Sequence, residues 1–355
     1  MKKTLLAIGL AAATTFATVS SANACLVYVG KSNDSMPVIG RTVEFGYDVQ
    51  TLASFPTDFA TFPRGSEFTT YGSDTPLTWN SKYGFSGMSH DGLVSDGINE
   101  KGLYVAMLWF ADGKYPAQDT SKPGLASGSI VNWLLSNFAS VDEAVSGLAK
   151  INVYQSDDNH LGIELPAHFQ LVDKSGKVLV VEYIDGEMTV TDNSDLGVMT
   201  NSPKIADHKQ AYQQFLKQKP HLDASSEVDG GMLEGLPGGY TALERTVRTA
   251  ILRDLTPTPK TKEEAINQVV HALNTTDYVR GAAEFPSRGM SGGKQETSFI
   301  TVIDMANMDY YYRTVDSLTL HKVDLNQVDY SKGKPVTGFN IYGGIRFVDV
   351  TDRAQ

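Results

Sequence analysis

One cysteine occurs in the 355 residues, and its position is its most informative property. Cys25 directly follows Ala22-Asn23-Ala24, a small-x-small cleavage pattern. Upstream, Lys2 and Lys3 form a positive start, and Leu5 to Ala13 form an apolar run too short for a permanent membrane span. Residues 1–24 therefore read as a secretory signal peptide, which predicts a periplasmic or secreted protein of residues 25–355. Cleavage there would make Cys25 the first residue. Three readings are open: an incidental small residue, a lipid-modified cysteine anchoring a periplasmic binding protein, or an N-terminal nucleophile. The third has direct chemistry. A thiol needs a base, and a free α-amine on the same residue, with a pKa of about 7.7–8.0, can supply it without a histidine relay. A lone cysteine can form neither an internal disulfide nor a cysteine-based zinc site.

Other chemistry-bearing residues are sparser. His90, His160, His168, His208, His221, His271 and His321 are scattered, with no HExxH or HxH spacing, and read as ordinary core or surface histidines. No metal or cofactor is expected. GGMLEGLPGGY and SGGK match neither phosphate-loop nor dinucleotide spacing. Arg41 and Glu44 are charges inside an apolar segment. Three residues apart, they fall on opposite faces of a regular strand, so spacing alone does not make them one site. The formal net charge of −11 makes the chain a poor partner for nucleic acid or anionic membrane, and no other segment reads as a membrane span.

The elements that must carry these residues follow from pattern. CLVYVGK and MPVIGRTVEFGY read as paired strands around Ser32-Asn33-Asp34-Ser35. Thr51 to Phe85 reads as a long, aromatic loop with short strands rimming a pocket. Val94 to Phe110 reads as two strands around Asn99-Glu100-Lys101-Gly102, and His168 to Asp192 as three strands. Helices are expected over Ser129–Phe138, Ala206–Lys217 and after three capping boxes beginning at Ser140, Thr241 and Thr261. The end reads as strands TSFITVID, DYYYRTV, SLTLHKV and FNIYGGIRFV. Helices and hairpin-linked strands in groups predict a single α+β layered domain over 25–355.

The ordered set of a cysteine after the signal, GRTVEFG, DGINEKGL, VMTNSP, GLPGGYTALER and YYYRT resembles the choloylglycine hydrolase family across nearly the whole mature chain. That family comprises N-terminal nucleophile amidases, including penicillin V acylases, conjugated bile salt hydrolases and acyl-homoserine-lactone acylases. The resemblance implies a four-layer αββα sandwich with two antiparallel sheets, a homotetramer, and a small-molecule amide substrate. It matches Cys25 to the nucleophile, Arg41 to the arginine beside the thiol, Asn201 to the side-chain oxyanion donor, the Trp109 backbone to the second donor, and Arg245 to a further active-site arginine. Glu44 stands where many members carry Asp, and Trp109 where bile salt hydrolases typically carry Asn. Glu244, before Arg245, is either a helix cap or its ion-pair partner. Trp109 with Phe59, Phe62 and Tyr71 suggests an aromatic or long acyl group, hence penicillin V or N-acyl-homoserine lactones as substrates, with bile salts as the alternative.

Overall fold

The computed structural model describes residues 25–31, 36–70, 72, 75–155, 165–218, 233, 235–284, 294–345 and 347–353. The signal segment, the Ser32–Ser35 turn, Tyr71, His160 and His221 lie outside the described residues. The chain opens with β1 (Cys25–Val29), β2 (Val38–Gly46), β3 (Asp58–Phe62), β4 (Glu67–Thr69), β5 (Thr78–Asn80), β6 (Phe85–His90), β7 (Leu93–Asn99), β8 (Tyr104–Trp109) and β9 (Gly124–Ala126). Helices α1 (Ile130–Asn137) and α2 (Val141–Leu148) follow, then β10 (Asn152–Tyr154), β11 (Ala167–Val172), β12 (Val178–Ile184), β13 (Glu187–Asp192) and β14 (Val198–Met199). Helices α3 (Ile205–Gln218), α4 (Ala242–Leu255) and α5 (Lys262–Asn274) precede β15 (Ala283–Glu284), β16 (Lys294–Asp304), β17 (Asp309–Thr314), β18 (Ser317–Asp324) and β19 (Thr337–Asn340).

Among the described residues two large antiparallel sheets form, beside the two-stranded pairings β4-β5 and β9-β10. The first runs β14-β1-β2-β16-β17-β18, with β15 on β16; the second runs β13-β12-β11-β8-β7-β6-β3-β19. Helices α4 and α5 pack on the first sheet and α1 on the second, so the layers are helix, sheet, sheet, helix as expected. β1 and β2 are buried between sheet and helices, so they read as near-continuous apolar runs; Leu26, Val27, Ile39 and Val43 are fully buried. Each such side chain contributes about 1.5–3 kcal/mol by leaving water. At Gly40 of β2 there is no room for a side chain. A Cβ there would lie 2.3 Å from Val269 of α5, so the glycine lets helix and sheet approach.

Thr241 and Glu244 form a complete capping box at α4, and Ser140 and Thr261 cap α2 and α5. Two expectations are corrected. The end of the chain is not strand throughout: β19 stops at Asn340, opposite the first residue of β3, Asp58, and one further bond, from Ile341 N–H to Thr57 O, follows it. The segment Thr51–Phe85 holds the expected short strands, but its aromatics do not sit as expected, since β3 is a sheet strand between β6 and β19. Phe59 accordingly packs on Tyr310 and Phe339 in one core, and Phe62 on Phe68 and Phe85 in the other, so neither walls a pocket.

Candidate active site

Cys25 begins β1, flanked by β2 on one side and β14 on the other. Val27 pairs with Met199. Continuing that register two residues beyond β14 sets Asn201 opposite Cys25. The Cys25 nitrogen donates to Asn201 Oδ1 at 2.6 Å, a contact between residues 176 apart in sequence. Arg245, in the first turn of α4, joins them: one guanidinium nitrogen donates to the Cys25 carbonyl at 2.8 Å and another to Asn201 Oδ1 at 3.0 Å. Its Nε donates to Tyr240 O, and the whole side chain is buried. Two donors at Oδ1 fix the orientation of the Asn201 amide. Its Nδ2 donates to the Trp109 carbonyl at 2.9 Å, which uses one of two N–H groups. Just past the end of β8, the Phe110 N–H bonds Pro166 O. Antiparallel alternation therefore turns the Trp109 N–H away from β11.

Arg41 and Glu44 do lie on opposite faces of β2. Arg41 faces the second sheet, donating to Ser95 O at 2.5 Å and Met107 O at 2.7 Å and pairing with Asp96 at 3.2 Å. Glu44 shares the face of Gly40, toward the helices, and accepts from the Thr297 hydroxyl at 2.9 Å. Both border one cavity with Cys25 because Cys25 sits at the strand end. Burial pushes the Cys25 thiol up, and the Arg41 cation pulls against it. Burial pushes the Glu44 carboxyl up to about 8, against the pull of Arg245, so it is mostly protonated at neutral pH. Glu244 caps its own helix, its carboxylate accepting from the Thr241 hydroxyl at 2.6 Å.

The cavity beside Cys25 holds about 80 Å³ and is mostly apolar. Phe45, Phe55, Met107, Trp109, Leu93 and Leu165 line it, with His90 and Ser95. Trp109 is where the sequence pattern places it, while Phe45 and Phe55 take the place expected of Phe59 and Phe62. Among the described residues no three His, Cys, Asp or Glu side chains converge as metal ligands.

Three supporting residues, Asp96, His168 and His208, carried no signal in motif spacing. Asp96 pairs with Arg41 and accepts from Thr301 and Tyr310 hydroxyls at 3.1 and 3.0 Å. A charge inside an apolar strand demands such a partner, so Arg41 itself was the available signal for it. His168 Nε2 donates to Thr200 O at 2.6 Å, with Nδ1 3.2 Å from Glu182. His208 Nε2 donates to Asn201 O at 2.8 Å, and Thr246 donates to its Nδ1 at 2.8 Å. Together these hold the segment Thr200–Asn201 from both sides.

Residues 25–338 match the model of the linear amide C–N hydrolases, choloylglycine hydrolase family. The chain belongs to the choloylglycine hydrolase family. Its members hydrolyse linear amide C–N bonds, and this chain is an enzyme of that class. A penicillin V acylase of Pectobacterium atrosepticum is 29% identical over 93% of this chain and 88% of its own length. A bile salt hydrolase/transferase of Lactiplantibacillus plantarum is 30% identical over 66% of this chain and 74% of its own. The structure of a mutant conjugated bile acid hydrolase from Clostridium perfringens superposes with a TM-score of 0.77 at 25% identity, covering 92% of this chain and 99% of that one. This member of the family thus has relatives with two different substrate classes in their names.

Proposed function

We propose that this chain is a periplasmic or secreted N-terminal nucleophile amidase of the penicillin V or N-acyl-homoserine-lactone acylase type, with Cys25 as first residue and nucleophile. The observation that carries the substrate assignment is the small apolar cavity beside Cys25 walled by Phe45, Phe55 and Trp109. Aromatic walls suit a phenoxy ring or an acyl chain better than a wide, hydroxylated steroid. The family match beginning at residue 25 supports the cleavage site.

In this reading the α-amine takes the thiol proton and the thiolate attacks the amide carbonyl. The second Nδ2 hydrogen of Asn201 and the Trp109 N–H bind the oxyanion, each donor contributing about 3 kcal/mol at comparable sites. The ammonium then protonates the leaving amine, leaving a thioester. Water attacks it, its proton passing to the amine, which releases the acid and restores Cys25. Asn201 Oδ1 orients the amine, Arg245 holds Asn201 and the Cys25 carbonyl, and Arg41 favours thiolate. Glu44 supplies a carboxyl near the amine in place of the usual Asp. A lipid on Sγ is disfavoured, because Cys25 is only 7% exposed inside the fold. The homotetramer implied by the resemblance belongs to this proposal as well.

Intact mass of the exported protein tests the processing: a start at Cys25 with a free amine is expected, and a diacylglycerol adduct overturns it. Assay of the purified enzyme against penicillin V, N-acyl-homoserine lactones and conjugated bile salts tests the substrate. The first two are expected to exceed the third in kcat/KM; the reverse order assigns bile salts, and no turnover of any overturns the proposal.

A further inference from the structure

The two groups that the mechanism above assigns to the oxyanion belong to different sheets. Asn201 follows β14 of the first sheet, and Trp109 ends β8 of the second. Such donors act only when closely placed, since a shift of about 1 Å can cost 10²-fold in rate. The spacing between the sheets is therefore part of the catalytic geometry, and one imidazole spans it. His168 lies on β11, next to Ala167, which pairs with Trp109. Its ring stacks on Phe110, the residue after Trp109, with centroids 4.7 Å apart and planes 1° from parallel. Its Nε2 reaches the carbonyl of Thr200, the residue before Asn201, at 2.6 Å. A carbonyl only accepts, so Nε2 carries the proton. One ring thus touches the chain neighbour of each donor.

Glu182 completes the tie. It lies on β12 opposite His168 when the register of Phe169 with Val181 is continued by one pair. Its Oε1 stands 3.2 Å from His168 Nδ1 and accepts from the Ile205 N–H at 2.9 Å. The segment Thr200–Ile205, which carries Asn201, is therefore bound to the second sheet at both ends by this pair. Both side chains are at most 2% exposed, so water does not compete for these bonds. The Asn201 Nδ2 bond to Trp109 O ties the amide itself; His168 ties the backbones from which the two donors reach. We propose that His168 is a positioning residue that sets the distance between Asn201 Nδ2 and the Trp109 N–H, with Glu182 holding its ring. This rests on the reading above that these two groups bind the oxyanion. A bond to Thr200 O alone would serve stability, whereas a ring stacked beside one donor and bonded beside the other acts on the rate.

Steady-state kinetics on penicillin V, or on a conjugated bile salt if the wild type turns over that substrate instead, compare wild type, His168→Leu, His168→Gln, Asn201→Ala and the His168→Leu/Asn201→Ala double variant. His168→Leu is expected to lower kcat by roughly 10- to 100-fold with KM within about threefold, because the interaction it disturbs is made in the transition state. His168→Gln keeps an N–H donor at similar reach and should recover most of that loss. In the Asn201→Ala background the further cost of His168→Leu should fall below about threefold, since the donor it positions is gone. A mere loss of folded protein would lower kcat equally in both backgrounds. If His168→Leu does not fold, Phe110→Leu replaces it in the same comparison, removing the stack and leaving His168 with Glu182; a loss of roughly 3- to 10-fold is expected, again only where Asn201 is present. A wild-type kcat in the folded single variant, a loss confined to KM, or an equal loss with and without Asn201 overturns the role of His168. Asn201→Ala at the wild-type rate overturns the reading of the oxyanion donors, and no turnover of either substrate by the wild type overturns the proposed activity; this inference falls with either.

Discussion

Replacing Arg41 by Met and Asp96 by Leu, singly and together, separates two tasks of one buried ion pair. Both side chains are at most 2% exposed and lie 3.2 Å apart. Removing one partner leaves the other charge in the interior uncompensated, at a cost of about 3–5 kcal/mol. Burial alone pushes the Asp96 carboxyl up, and Arg41 pulls it back, so each charge is tolerated because of the other. Removing both abolishes the charges but still strips Ser95 O and Met107 O of their donor. The double variant should therefore remain less stable than wild type, yet fall short of the summed single costs by about 2–3 kcal/mol. Urea unfolding of the four proteins measures this coupling. Activity should behave otherwise. The Arg41 cation opposes the upward push of burial on the Cys25 thiol, so both proteins lacking Arg41 should lose turnover, on the order of tenfold for each unit the thiol rises, and their pH profiles should move upward. Asp96→Leu should keep more activity, because Arg41 retains its two carbonyl bonds. Stability costs that add within about 0.5 kcal/mol would refute the coupling. Recovery of activity in the double variant would refute a role for the Arg41 charge at the thiol.

Three further outcomes follow from the same geometry. Cys25→Ser should keep the fold while lowering kcat by roughly 10³-fold or more, since a hydroxyl is a far weaker nucleophile than a thiol; circular dichroism and initial rates check this, and wild-type rates in Cys25→Ala would eliminate Cys25 as nucleophile. Burial holds His208 down at about 4, below its ordinary 6.5, so its contribution is present above pH 6.5 and lost as pH falls through 4, at about 1.4 kcal/mol per pH unit between. Urea midpoints at pH 7, 5.5 and 4.5 should show the gap between wild type and His208→Gln narrowing toward acid; a gap constant across the three contradicts the assignment. Gly40→Ala would drive a Cβ into Val269 and Leu273, at 2.3 and 2.8 Å, and should cost about 1–3 kcal/mol, seen as a lower Tm. Gly238→Ala, with nothing within 4 Å of the added carbon, should be near neutral, and equal losses in the two would show that α5 does not press on β2 at Gly40.

Local signals in the sequence were enough for the helices and most strands. Thr241-Ala242-Leu243-Glu244 carries a complete cap because its bonds are made within one turn. The hairpin strands from Ala167 to Asp192 alternate and turn within reach of one another. What failed were features set by distant partners. FNIYGGIRFV has strand composition throughout, yet only its start pairs, because its partner β3 begins opposite Asn340 and the ladder does not extend past that point. Phe59 and Phe62 have the composition of a pocket rim. Being three residues apart on a strand, they enter two different cores, and that is invisible until β3 is known to lie inside a sheet.

The site divides along the same line. The odd spacing of Arg41 and Glu44 correctly put them on opposite faces of β2, and spacing alone did not make them one site. What joins them is that a strand has an end. Cys25 is the first residue of β1, opposite Val43, so charges from both faces of β2 act on its thiol. Asn201 and Arg245 are 176 and 220 residues away from it, and no local pattern encodes those contacts. Asp96 opens DGINEKGL, and motif spacing gives it no role, although elementary electrostatics asks for one. An arginine inside an apolar strand needs a counter-charge when it is buried. The acids within strand segments of the second sheet are the first places to look, and Asp96 stands in the middle of β7 with two hydroxyls directed at it. Burial of one charge thus implies the position of another, and an arginine at position 41 of an apolar strand is reason enough to look for its partner among those few acids.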